Sequence, residues 1–245
     1  MNTLVSVNNL SKNFSSFEAV KKISFSINGS EILGLLGPNG CGKTTTIGMM
    51  LGLLKPTSGE VVINGLNVEK NRINLLKKMN FISPYIELPK KLTVKENLMV
   101  YGKLYSVKDI KNRIDYLTET LRLGEFIDKK TGELSSGQKN RVSLAKSLIN
   151  NPEILLLDEP TASLDPDIGD FVRGYIQEYK MKNKVTILLA SHNMNEVERL
   201  CDNVIIMRKG KVIDQGTCGD LIKKHGQNSL EETFLKLARN INGSE

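Results

Sequence analysis

The chain has 245 residues, 40% of them hydrophobic, enough to bury a sizeable core in one large or two small domains. Aromatic residues reach only 5% and Trp is absent, which argues against a surface built to stack single-stranded nucleic acid. The formal charge of +7 suits a phosphate-rich ligand, nucleic acid or an anionic membrane surface, and equally an ordinary basic cytosolic protein.

Residues 4–7 and 23–27 read as short strands; the second, Ile23-Ser24-Phe25-Ser26-Ile27, alternates apolar and polar residues as a half-buried antiparallel strand does. Residues 31–36 form a third strand, which ends at a glycine-rich loop. A helix follows over 44–54 and is stopped by Lys55-Pro56-Thr57-Ser58-Gly59; a strand at 60–63 then turns at Asn64-Gly65. The stretch 94–150 lacks strand patterns and carries helical spacing, as in Ile114, Leu117 and Leu121 and again over 141–149. The apolar runs 154–157 and 185–190 are patterned as strands buried on both faces of a parallel sheet, with a crossover helix at 171–179 between them. Residues 204–207 and 211–214 flank the turn Arg208-Lys209-Gly210, and helical segments over 221–240 follow.

The loop Gly37-Pro38-Asn39-Gly40-Cys41-Gly42-Lys43-Thr44 fits Gly-x-x-x-x-Gly-Lys-Thr, with an apolar strand before it and a helix after it. Its glycines let backbone N–H groups turn inward, and the helix N-terminus adds positive potential for phosphate. Lys43 is expected to bridge the β- and γ-phosphates of ATP, and Thr44 to give an oxygen to Mg2+. Cys41 reads either as a redox-sensitive thiol inside the loop or as a small residue standing where Ala or Ser would serve. Cys41, Cys201 and Cys218 show no metal spacing or disulfide framework, so reduced thiols in a cytoplasmic setting are expected. Residues 1–9 lack a signal-peptide pattern, and no apolar run approaches the about 18 residues of a spanning helix. Work at a membrane therefore requires another chain.

A second motif ends the strand Ile154-Leu155-Leu156-Leu157 in Asp158-Glu159, 115 residues after Lys43. Carboxylates at the C-terminal end of a parallel strand face a ligand crevice. Asp158 is expected to hold Mg2+, directly or through water, and Glu159 to polarise the attacking water as general base. The long separation is filled by the helical insertion. A third motif, Leu134-Ser135-Ser136-Gly137-Gln138, has the spacing of a capping box, with Ser135 as N-cap and Gln138 three residues on. The same helix N-terminus is a second anion site, on a chain that already has one for its own phosphate.

Taken together, these motifs resemble the ATP-binding cassette (ABC) family, specifically the ATPase subunit of a transporter, over nearly the whole chain. Residues 37–44 match the Walker A motif, 134–138 the signature loop with Ser136 where Gly is commoner, and 154–159 Walker B. Ser163-Leu164-Asp165 resembles the D-loop, His192 after Ala190-Ser191 the switch histidine, and Phe14 the aromatic that stacks on adenine. As bare residues, His192 also reads as a structural histidine and Phe14 as core packing. The resemblance implies ATP and Mg2+ as ligands, with nucleotide contacts from Phe14, the loop from Gly37 to Thr44, Thr45, Ser135, Gly137 and Gln138. It implies catalysis by Glu159, His192 and Lys43, and metal ligation by Thr44 and Asp158. It implies, too, that two cassettes pair head to tail, a homodimer in the simplest case, each ATP lying between one Walker A loop and the partner's signature loop.

The resemblance further implies an α/β P-loop core with a mostly parallel sheet, an N-terminal antiparallel β subdomain and a helical insertion subdomain. The expected division is core at about 1–83 and 151–215, helical subdomain at 84–150 and a C-terminal helical extension at 216–245. It also implies an exporter-like role, marked by Leu92-Thr93-Val94-Lys95-Glu96-Asn97-Leu98 and by Ser229-Leu230-Glu231-Glu232-Thr233-Phe234. The partner is then a separate membrane permease, with the chain peripheral on the cytoplasmic face and no nucleic acid bound. The competing reading is a non-transport cassette ATPase acting on nucleic acid or ribosomes, which the charge permits; such proteins usually carry two cassettes or long coiled-coil insertions, and neither is present here. One departure stands out: the family's Gln between Walker A and the helical insertion is missing from Asn80-Phe81-Ile82-Ser83-Pro84-Tyr85. Ser83 offers a hydroxyl there and Pro84 offers none, so the speed of hydrolysis is the property this departure touches.

Overall fold

In chain order the computed structural model, which describes residues 3–84, 86–162 and 164–240, begins with strands β1 (Thr3–Phe14), β2 (Phe17–Asn28) and β3 (Ile32–Leu36) and helix α1 (Lys43–Met50). Next come β4 (Ser58–Ile63), β5 (Leu66–Asn67), α2 (Val68–Leu76) and β6 (Met79–Ile82). Helices α3 (Val94–Leu104), α4 (Ile110–Thr120) and α5 (Ser136–Leu148) lead to β7 (Ile154–Asp158), α6 (Pro166–Asn183) and β8 (Thr186–Ser191). The chain continues through α7 (Met194–Leu200), β9 (Asn203–Arg208), β10 (Lys211–Gly216), α8 (Cys218–His225) and α9 (Leu230–Asn240). The elements separate into two compact units, Met1–Leu75 with Thr186–Glu245, and Leu76–Val185.

In the first unit, β1 lies between β2 and β4 in an antiparallel sheet ordered β2-β1-β4-β5. A second set of strands runs β10-β9-β3-β8, with β3 parallel to both β8 and β9. Every residue of β3 and β8 is buried, the consequence of apolar side chains on both faces of a covered parallel sheet. Parallel pairing in register sets Leu36 opposite Ser191, so the two strands end side by side. Leu36, Val204 and Ile206 form one cluster with Val197 of α7, Leu221 of α8 and Leu230 of α9. Gly34 lets α7 approach: a Cβ there would lie 2.8 Å from Cys201 Sγ.

The second unit carries the parallel pair β6–β7 and helices α3 to α6. Thr93 and Glu96 cap α3 reciprocally, and Gly102 admits Ile110, whose Cδ1 lies 2.2 Å from where a Cβ would stand. At the centre is a buried cation. Lys146 of α5 is 7% exposed. Its Nζ donates to Phe81 O at 3.1 Å and to Asn80 Oδ1 at 3.4 Å. The ammonium lies 4.6 Å from the Phe81 ring centroid and 5.4 Å from that of Tyr101. Asn80 in turn donates to Asn150 Oδ1 at 2.9 Å, which closes the polar island.

Strand β1 is much longer than residues 4–7. Register shifts between Val7 and Leu10 and again up to Asn13, with Asn9 at φ 46°, break the alternation that marks a strand in sequence. Helix α2 and strand β6 have no counterpart among the sequence expectations, because α2 buries only Val68 and Leu75 and kinks at Asn71. Helix α1 stops at Met50, short of 54, and α6 extends on both sides of 171–179.

Burial lowers the Lys146 pKa from 10.5 to about 8. Between these values the unfolded chain holds a proton that the folded chain has released, so stability rises with pH across the window. Buried Tyr175 and Tyr179, both raised by desolvation, reverse the trend above about pH 10, because the unfolded chain then loses protons that the fold retains. Denaturant unfolding of the Lys146→Met variant should lack the increment of roughly 1.4 kcal/mol per pH unit that the parent gains between about pH 8 and 10.

Candidate functional site

The glycine loop joins the ends of several strands in the first unit. Gly37 N donates to Ser191 O at 3.3 Å, and Gly210 N donates to Cys41 O at 3.1 Å. Gly42, the N-cap of α1, has φ 111°, and a Cβ there would stand 2.7 Å from Ala19 O and 3.3 Å from Val20 Cγ2. Gly37 is equally constrained, with Met207 O 2.5 Å from the same position. Only glycine fits at these two points, because the loop turns directly against the backbones of β2 and β9.

Helix α1 has no side-chain cap and no acid in its first turn, the arrangement of a helix N-terminus that can receive an anion. Lys43 is 5% exposed, and its Nζ donates to Gly37 O at 2.7 Å and to Pro38 O at 3.3 Å, which holds the ammonium over the loop. Thr46 Oγ1 binds Gly42 O at 2.9 Å and fixes the first turn. Pro38, Asn39, Gly40 and Thr44 are exposed, and Thr45 is half-buried. Cys41 is buried, 3% exposed, and forms no disulfide. Burial pushes the thiols of Cys201 and Cys218 above their usual pKa, which keeps both protonated.

His192 is exposed and follows directly on Ser191, whose carbonyl receives the loop N–H of Gly37. The structure thus brings His192 to the phosphate loop. The turn that carries it is rigid: Ser191 Oγ donates to Glu196 Oε2 at 2.6 Å and accepts from Asn193 N at 3.1 Å. Asn193 caps α7 through Glu196 N. Ser191 and Glu196 escaped the sequence reading, though Asn193 three residues before Glu196 is a capping pattern. Phe14 ends β1 and is 43% exposed, so it is not core packing.

In the second unit Asp158, 1% exposed, ends β7. Glu159 follows with φ 52°, a left-handed backbone that costs a non-glycine residue about 1–2 kcal/mol. Asn140 of α5 holds this turn, its Nδ2 donating to Pro160 O at 2.6 Å. Ser135 caps α5 through Gln138 N at 3.3 Å, and Gln138 Oε1 accepts from Ser135 N at 3.0 Å, the expected capping box. The cap consumes a lone pair of Ser135 Oγ and leaves its O–H proton as a donor. Gly137, buried, faces Ile168 of α6. Ser83 and Pro84, directly after β6, line a cavity of about 220 Å3 together with Asn140, Ser143 and Glu159. Of the remaining signature residues, Ser163 lies outside the described residues, as does Tyr85, while Asp165 is the N-cap of α6.

The chain matches the ABC transporter family over residues 20–162. It belongs to that family. It is 35% identical over 228 residues to the ABC transporter ATP-binding protein NatA of Bacillus subtilis (strain 168), covering 91% of this chain and 92% of that one. It is 37% identical over 234 residues to the bacitracin transport ATP-binding protein BcrA of Bacillus licheniformis, covering 94% and 75%. Among solved structures, an ATP-binding subunit of an ABC transporter superposes with a TM-score of 0.88 at 28% identity over 96% of this chain and 99% of that one. A dimeric ATP-binding cassette in a post-hydrolysis state, bound to ADP and Pi, superposes with a TM-score of 0.81 at 25% identity over 87% and 98%. The fold is accordingly that of an ABC ATPase cassette, with a mostly parallel sheet and an antiparallel β sheet, and the chain is an ATP-binding, ATP-hydrolysing subunit that powers a membrane transporter.

The close approach at Gly42 gives a direct test. Gly42→Ala should weaken ATP binding by at least tenfold and lower the melting temperature, through about 1–3 kcal/mol of backbone strain. Gly40→Ala, where φ is 78° and no atom lies within 4 Å of the added Cβ, should cost about 1 kcal/mol and retain binding. Nucleotide titration calorimetry and thermal unfolding of the two variants compare them.

Proposed function

We propose that this cassette works as one of two copies paired head to tail, each ATP being completed by the signature loop of the partner copy, and that the pair drives a separate permease in the outward direction. The N-terminus of α5 carries this reading. The N–H groups of Ser136 and Gly137 have no partner within the helix, the first turn holds no acid, and the Ser135 hydroxyl keeps its proton to donate. The chain's own phosphate helix is α1, so a second anion site serves a second nucleotide. The ADP- and Pi-bound relative is dimeric by its own description, and other relatives are named for export of Nod factor and transport of bacitracin.

In this reading the backbone of residues 37–45 cradles the phosphates, Lys43 bridges β and γ, and Phe14 stacks on adenine. Glu159 takes a proton from the attacking water, and His192 orients that water against the γ-phosphate. Thr44 and Asp158 offer oxygen donors of the kind Mg2+ prefers, and no cluster of three or more His, Cys, Asp or Glu able to hold a metal occurs among the described residues. That donor set fits an ion held largely by phosphate oxygens and water, which when bound neutralises phosphate charge. Residues 84–150 act as the helical subdomain and 1–83 with 151–215 as the core, followed by a helical extension from 216, of which 241–245 lie outside the described residues. Ser83 supplies the hydroxyl at the place where the family resemblance implies Gln. The permease, in this reading, holds the pair at the cytoplasmic face; no helix among the described residues is long and apolar enough to cross a membrane.

Two variants test the scheme. Glu159→Gln should trap an ATP-bound dimer on size exclusion and lower turnover by about 10²–10⁴-fold; hydrolysis at the parent's rate would sink the assignment of the base. Ser135→Arg should bind ATP normally by calorimetry yet fail to dimerise with it, and undiminished ATP-dependent dimerisation would remove the shared site.

A further inference from the structure

The end of β1 that carries Phe14 is pinned along both edges. On the β2 side, Lys12 pairs with Val20, Asn13 with Glu18 and Phe14 with Phe17. Val20 is the residue whose Cγ2 lies 3.3 Å from the Cβ position of Gly42, so Lys12 stands across the ladder from a direct contact of the phosphate loop. On the other side, the segment following α1 is stitched to β1 in consecutive steps. Thr57 N donates to Ser11 O at 2.8 Å, Asn13 N donates to Thr57 Oγ1 at 2.9 Å, and Lys12 Nζ donates to Lys55 O at 2.8 Å.

The Lys12 ammonium is held by that carbonyl 5.1 Å from the centroid of the Phe14 ring. A cation within about 6 Å of an arene face is attracted to it. The ring is 43% exposed, with the Lys12 ammonium over one face. The ring has two freely rotatable side-chain torsions and no hydrogen-bonding group of its own; the cation supplies a fixed partner for it. Lys12 therefore links the loop after α1, through its carbonyl, to the aromatic platform.

We propose that Lys12 is a positioning residue for the nucleotide base: it holds one face of Phe14 so that the purine of ATP stacks on the other. This rests on the reading that Phe14 takes the base. In this role Lys12 acts through the ring, so its effect falls on affinity for the base and leaves the rate of the chemical step unchanged.

The test uses the full chain with four variants: Lys12→Met, which keeps the aliphatic stem; Lys12→Arg, which keeps a cation; Phe14→Ala; and Lys12→Met with Phe14→Ala. Lys12→Met should raise the KM and the Kd for ATP about two- to fivefold at unchanged kcat, and Lys12→Arg should restore most of it. Affinity for inorganic tripolyphosphate, which has no base, should not change. The double variant should bind ATP no more weakly than Phe14→Ala alone. Equal losses for ATP and tripolyphosphate would overturn the proposal by making Lys12 a phosphate ligand, and additive losses in the double variant would overturn it by uncoupling Lys12 from the ring. If Phe14→Ala leaves ATP affinity intact, the base does not stack there, and the reading of Phe14 fails together with the role of Lys12.

Discussion

The nucleotide loop depends on one steric constraint: at Gly37 and Gly42 there is no room for a β-carbon. The backbones of β2 and β9 come so close that Ala19 O and Met207 O occupy the space a side chain would need. Glycine at both points lets the loop turn its N–H groups inward, and the same closeness ties it to its surroundings. Cys41 O receives Gly210 N, Gly210 O receives Lys21 N, and Ser191 O receives Gly37 N. The loop is thus held by main-chain hydrogen bonds from the strand ends, which lose little entropy on binding a ligand. Phe14 and His192 inherit their positions from these same strands, one through β2 and the other through β8.

Helix α5 plays a comparable part in the second unit. Its first turn presents Ser135, Ser136 and Gly137, its second turn sends Asn140 to the carbonyl of Pro160, and its third buries Lys146 against Phe81. One rigid helix therefore links the signature loop, the left-handed turn at Glu159 and the strand that delivers Ser83. A buried ammonium with no carboxylate beside it among the described residues is a costly way to make such a link. The carbonyl of Phe81, the amide of Asn80 and two aromatic faces offset part of that cost, and the depressed pKa of Lys146 registers the remainder.

Some of this was legible in the sequence because it is local. Glycine spacing before Lys43-Thr44, the apolar runs that become β3, β7 and β8, and the Ser135 to Gln138 capping box each depend on residues within a few positions of one another. The parts that escaped depend on distant partners. Lys146 looks like an ordinary helix lysine until β6 packs beside it, and Glu196 looks solvated until Ser191 turns toward it. The bulges of β1 hid eight residues of strand from its alternation, since a register shift changes the face on which every later side chain falls.

The sequence by itself determined which groups are present: a glycine loop ending in Lys43-Thr44, a pair of acids at a strand end, a capped helix terminus with no acid in its first turn and a histidine after an apolar strand. These are fixed by residue type and short spacing, which set hydrogen-bonding capacity and charge. Only the tertiary structure decided how those groups are held. It set Ser191 beside Gly37 through parallel pairing of β3 and β8, placed Lys12 over Phe14 and against Lys55 O, and joined Asn140 to Pro160. Each of these pairings joins atoms that the covalent chain leaves free, and the packing of one element on another chooses among the arrangements the same sequence allows.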